Sequence, residues 1–156
     1  LMSLAYQRIL CALDLTDPAC LVLRRALALA RTAGAELAAA SVVDYQPGFE
    51  ADAYPFLTPQ EIRAQTVTQV QRKLHHLCLQ EQAPQVEILV ATGAERATLI
   101  ELAQRWQAQL VIIGSHAPFG LNVPGNTLPF DCLTVTTRSA AMPWGKRWLQ
   151  SLVPAF

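Results

Sequence analysis

Short apolar runs alternate along the chain with segments of helical pattern, and this alternation limits the fold more than any other feature. The runs are Ile9-Leu10-Cys11-Ala12-Leu13, residues 35–43, Val86-Glu87-Ile88-Leu89-Val90 and Leu110-Val111-Ile112-Ile113-Gly114. Near-continuous apolar character, rather than strict alternation, marks strands buried on both faces of a parallel sheet. Between the first two, residues 18–32 carry Leu23, Leu27 and Ala30 on one helical face and Arg24, Arg25 and Arg31 on the other, with Gly34 as a stop. Thr58-Pro59-Gln60-Glu61 is a capping box, opening a helix to about Gln82 with Ile62, Val67, Val70, Leu74 and Leu77 at three- and four-residue spacings; Pro84 follows its end. A third helix runs from Glu95 to Gln107, with Leu99, Ala103 and Trp106 along one side. The order β-α-β-α-β-α-β predicts a doubly wound, open, mainly parallel α/β sheet with right-handed crossovers.

Beyond Gly114 the regularity fails. Pro118, Gly120, Pro124, Gly125 and Pro129 are too many breakers for an ordinary helix, so a fourth helix is shortened or missing. Residues 132–137 are a fifth strand candidate in which Leu133 and Val135 alternate with threonines, as on a strand with one buried face. A strand at a sheet edge needs covering, and pairing with a second subunit is one way to do it. The chain therefore reads as a domain over residues 6–137 and an amphipathic tail over 138–156, with Trp144, Trp148 and Leu152 on one side of the tail. That stripe is expected to dock where the fourth helix would have covered the sheet; crossing to a dimer partner and contacting another protein are the alternatives.

At 156 residues, 52% apolar and 15% charged, one ordered domain is the expectation. Twelve basic residues balance twelve acidic ones, without the clustered Lys and Arg that a nucleic-acid binder needs. No apolar stretch is long enough for a membrane span, and no signal peptide pattern opens the chain, so a soluble cytoplasmic protein is expected. Cys11, Cys20, Cys78 and Cys132 contain no Cys-x-x-Cys pair and read as free thiols. His75 and His76 are adjacent, so on a helix they diverge by about 100° and do not share a metal ion easily. No metal is implied.

The polar residues at the strand ends are where an open α/β sheet binds ligands. Asp14 ends the first strand, Asp17 and Pro18 suit the start of the next helix, and Ser115 and His116 follow the fourth strand. No Ser-His-Asp order, pair of catalytic carboxylates or metal cluster accompanies them, so no enzyme is expected.

In this order and spacing, Ile9-Leu10-Cys11-Ala12-Leu13-Asp14-Leu15-Thr16, Ala40-Ser41-Val42-Val43-Asp44 and Leu110-Val111-Ile112-Ile113-Gly114-Ser115-His116 resemble the universal stress protein family over residues 6 to 137. The resemblance implies an adenine nucleotide α-hydrolase-like sheet and a homodimer through the last strand. It also divides the family into nucleotide binders and a universal stress protein A type that generally does not bind ATP. Nucleotide binders follow the fourth strand with Gly-x-x-Gly, nine residues, then Gly-Ser or Gly-Thr, whose backbone donors approach phosphate closely. Here Ala117 stands at the second glycine, and Gly125-Asn126 arrives several residues early behind Pro124. Leu15 replaces the glycine that usually follows the strand-end acid. The expectation is a non-catalytic domain of the universal stress protein A type, without a cofactor, acting through dimerisation and protein contacts. The alternative is an ATP- or AMP-binding regulator using Asp14, Val42, Gly114, Ser115, Gly125 and Asn126.

Overall fold

A computed structural model describes residues 5–15, 19–44, 56–115, 119–121 and 127–136. Among them lie β1 (Arg8–Ala12), α1 (Ala19–Ala33), β2 (Glu36–Val43), α2 (Pro59–Gln80), β3 (Glu87–Thr92), α3 (Glu95–Arg105), β4 (Leu110–Gly114) and β5 (Asp131–Val135). The strands form one sheet in the order β3-β2-β1-β4-β5, with every neighbouring pair parallel. The chain steps outward from β1 to β2 and β3, then returns past β1 to β4 and β5. With right-handed crossovers, that reversal puts α1 and α2 on one face and α3 on the other. It also makes the β1–β4 boundary the point where the winding direction switches.

The strand runs are apolar throughout because both faces are covered. Ile9, Cys11, Leu37, Ala39 and Ile112 meet Leu23, Ala26 and Leu27 of α1 and Leu74 and Cys78 of α2. The alternate residues Leu10, Ala12, Ala38, Ala40, Val111 and Ile113 meet Leu99 and Ala103 of α3. The weakly β-forming alanines of β2 sit on a central strand with helices on both sides, where small side chains let the layers close. Of the expected stripe on α2, Ile62 and Leu74 are buried, whereas Val67, Val70 and Leu77 are only half-buried; Cys78 completes the buried set. The capping box at Thr58 is present, with Glu61 N donating to Thr58 Oγ1 at 3.1 Å and Thr58 N donating to Glu61 Oε2 at 2.7 Å.

The three helices among the described residues end alike. After α1, Gly34 N donates to Arg31 O and Ala35 N to Ala30 O; after α2, Gln82 N donates to Leu79 O and Ala83 N to Cys78 O. After α3, Gln107 N donates to Gln104 O and Ala108 N to Ala103 O. This is the Schellman arrangement, which needs a left-handed residue at its centre. Gly34 meets that need at φ 66°, but Gln82 and Gln107 adopt it at 56° and 60° without being glycine.

One expectation needs correcting. Leu133 does not lie on a buried face of β5: it is 39% exposed, while Val135 is buried and Thr134 half-buried. The reason is lateral, since β5 is the outermost strand, beyond β4 on the side away from α1 and α2. After β4, Phe119, Leu121 and Phe130 are at most 8% exposed and join the core beside Val111 and Ile113. Residues 119–121 and 127–130 contain no helix. The tail and its docking lie outside the described residues. Among the described residues, no helix is long and apolar enough to cross a membrane.

Candidate functional site

The carboxyl ends of β2, β1 and β4 form the edge at which the sequence places its candidate residues. Leu13 N donates to Ala40 O at 2.8 Å, keeping the chain in the sheet beyond the end of β1, and half-buried Asp14 follows. The register pairs Cys11 with Ile112 and Ala12 with Ala40. Carried onward, it puts Asp14 level with Ser115 on one side and Val42 on the other. Gly114 is buried and paired with Val135, and the exposed Ser115 donates its N–H to Val135 O at 2.9 Å. Four of the six candidates, Asp14, Val42, Gly114 and Ser115, therefore share one edge at the switch point. Gly125 and Asn126 lie outside the described residues, as do His116, Asp17 and Pro18.

Leu15 has φ 61°, in the left-handed region that glycine adopts freely and a leucine adopts only under strain. Its side chain packs against the core beneath α1 and α2, which offsets that strain. The turn thus keeps a glycine-like backbone while carrying a full side chain.

Two carboxyls absent from the candidate list also reach this edge. Asp44 follows β2 just as Asp14 follows β1, and Glu95 opens α3. Partial burial, then the charges of Asp44 and Asp14, push the Glu95 carboxyl above the ordinary glutamate range. The repeated pattern of an apolar run ending in an acid was the available signal for Asp44. Glu95 gave none, because its closeness to the others follows from the β2–β3 pairing and the turn at Gly93. There Gly93 N donates to Val43 O at 3.1 Å, and φ 145° with Thr98 Oγ1 in contact range leaves no room for a Cβ. On the other side, Arg96 Nε donates to Gly120 O at 3.3 Å, tying α3 to the connection after β4.

The α3 N-cap is Ala94, which offers no side-chain cap, so the first amides of α3 open toward the same edge. The edge therefore combines helix amides with a negative rim. That suits hydroxyl and amino donors better than a polyanion, whose charge meets Asp14, Asp44 and Glu95. Among the described residues, no group of three His, Cys, Asp or Glu is placed to hold a metal ion. None of the four cysteines is in a disulfide; Cys11 and Cys78 are buried, Cys20 and Cys132 half-buried. Burial pushes the Cys11 thiol far up, the charge of Cys78 adding to it, so it is an inert packing residue.

A model of the "Universal stress protein family" matches residues 5–122. Universal stress protein A homolog 1 of Coxiella burnetii is 24% identical over 141 residues, covering 90% of this chain and 98% of that protein. Among solved structures, universal stress protein UspA from Lactobacillus plantarum superposes with a TM-score of 0.58 at 21% identity, covering 85% of this chain and 99% of its own. A universal stress protein in complex with cAMP gives a TM-score of 0.56 at 24% identity, covering 85% and 98%. At these identities the structures establish the shared fold.

Proposed function

The chain belongs to the universal stress protein family, and we propose that it serves there as a non-catalytic stress-response domain that acts through dimerisation and protein contacts and does not hold ATP. Leu15 carries this reading. A phosphate chain held by backbone N–H groups at the first turn needs the open approach that glycine leaves. Here the same left-handed turn carries a leucine anchored in the core. The carboxyls of Asp14, Asp44 and Glu95 add repulsion to any triphosphate at the mouth. Support for dimerisation comes from β5, whose outer edge pairs with no described strand and presents the exposed Leu133.

Calorimetric titration with ATP, AMP and cAMP, each with and without Mg²⁺, tests the first part. No heat with ATP is the expected result. Micromolar ATP binding that disappears in Asp14→Ala overturns it. Sedimentation equilibrium tests the second part: a dimer that dissociates in Leu133→Asp is expected, and a parent chain that is monomeric at micromolar concentration overturns it.

A second reading is favoured by one observation. A relative of the same fold forms a complex with cAMP, a nucleotide with one phosphodiester charge rather than a triphosphate. The buried Gly114 puts no side chain between the ends of β1 and β4. In that reading the protein is a nucleotide-responsive regulator using Asp14, Val42, Gly114, Ser115, Gly125 and Asn126. Saturable cAMP binding without ATP binding supports it.

A further inference from the structure

At the opposite, amino-terminal edge of the sheet, a cavity of about 450 Å³ runs across the starts of β2 and β3. Its volume lies in the range of small-molecule sites. Leu27, Ala30, Leu37 and Val86 give it an apolar floor, Trp106 an aromatic wall, and Arg31, Glu36 and Glu87 a charged rim. We propose that this cavity binds a small zwitterion, an α-amino acid with an apolar side chain, with its carboxylate on Arg31 and its ammonium on Glu87.

The rim charges differ in what already occupies them. Glu36 Oε2 is paired with Arg8 at 2.7 Å. Arg8 is further held by Nε donating to Trp106 O at 2.8 Å and by stacking 4.0 Å above the Trp106 ring. Glu36 and Arg8 therefore neutralise each other. Glu87 has no ionic partner among the described residues; one oxygen, Oε2, accepts Trp106 Nε1 at 2.8 Å, which orients the carboxylate and leaves Oε1 available. Arg31 likewise has no ionic partner among the described residues. One cation and one anion without counter-ions among the described residues thus border a single apolar cavity.

The backbone adds to this polarity. The last turns of α1, α2 and α3 all point to this edge, and their carbonyl ends favour an ammonium group. Arg31, in the last turn of α1, supplies the carboxylate contact that those carbonyls cannot. Gly34 has open space where its Cβ would stand, consistent with a cavity wall rather than a packed turn. A simple amine leaves Arg31 unmatched and a simple carboxylate leaves Glu87 unmatched; an amino acid matches both.

The test uses the full chain and leucine with its two single-charge analogues, isoamylamine and 4-methylpentanoate. Binding is read from the indole N–H resonance of Trp106, assigned as the one that persists in Trp144→Phe/Trp148→Phe. Saturable shifts with leucine, at least about tenfold tighter than with either analogue, are expected. Glu87→Gln keeps an acceptor for Trp106 Nε1, so the fold is retained. It should weaken leucine by about tenfold and leave 4-methylpentanoate unchanged, while Arg31→Gln should weaken leucine and leave isoamylamine unchanged. No saturable shift with millimolar leucine overturns the proposal. Leucine binding no tighter than both analogues, or indifferent to Arg31→Gln in a folded variant, overturns it equally.

Discussion

Tyr6 donates its phenolic proton to Asp131 Oδ2 at 2.6 Å, joining the residue two before β1 to the first residue of β5. The two strands are not neighbours; β4 lies between them. Gln109 completes the link from the middle, accepting the N–H groups of Gln7 and Arg8 on Oε1 while its own carbonyl accepts Asp131 N at 3.0 Å. Tyr6→Phe is expected to cost about 0.5–1 kcal/mol, below the usual range for a bond to a charged group because solvent screens it. The hydrogen bond to the carboxylate holds the Tyr6 proton more tightly than in the unfolded chain. Its contribution is therefore present below about pH 10 and lost as pH rises through the higher folded value. Chemical denaturation at neutral and strongly alkaline pH checks this: the two proteins should converge at the alkaline end.

The helix ends give a matched pair of tests. Gln107 and Gln82 are exposed and left-handed, so Gln107→Gly removes backbone strain with no packing loss. It should stabilise by about 0.5–1 kcal/mol after the entropy of the added glycine is deducted, and Gln82→Gly should behave alike. Gly34→Ala, where the added Cβ meets open space, should lose about 1 kcal/mol through backbone conformation alone. Thermal unfolding that moves all three in one direction would refute the account.

Gly93→Ala should be the most damaging exchange at the candidate site. The new Cβ overlaps Thr98 Oγ1, and the backbone at φ 145° is one that side chains rarely adopt. A loss of about 2–3 kcal/mol is expected, within the range for combined steric and backbone strain. Adding Thr98→Ala removes the overlapping oxygen but not the backbone term, so the double variant should recover only part of the loss. Full recovery would mean that the backbone conformation costs nothing.

Glu95 provides the pH test. Its carboxyl is raised by partial burial first, then by the charges of Asp44 and Asp14. A raised carboxyl means that protonation favours the folded state. Its contribution is present below the ordinary glutamate value of about 4.3 and lost as pH rises through the folded one. Asp44→Asn should move the Glu95 midpoint, followed by carboxyl NMR, part of the way down. It should also stabilise the protein at neutral pH by no more than about 0.5 kcal/mol, given solvent screening, with the gain gone near pH 3. An unmoved midpoint would show that Asp44 does not act on Glu95.

The strand and helix order is legible in the residues because each element carries a local cause. Continuous apolar runs such as Leu110–Ile113 need two covered faces, and the capping box at Thr58 and the glycine stop at Gly34 mark helix ends through their own hydrogen bonds. The edge holding Asp14, Val42, Gly114 and Ser115 was legible for the same reason, since strand ends in a doubly wound sheet meet at its switch point. What the chain alone did not decide depends on residues distant in sequence. Gln82 and Gln107 adopt a glycine conformation because the Schellman bonds and the following strands hold them there. Leu133 is exposed because β5 is an edge strand, and Phe119, Leu121 and Phe130 join the core from the connection between β4 and β5. The approach of Glu95 to Asp44 and the placement of Arg31 and Glu87 beside one cavity come from strand order and helix placement. Such relations arise only when the sheet assembles, because pairing brings together side chains whose local sequence carries no sign of the other.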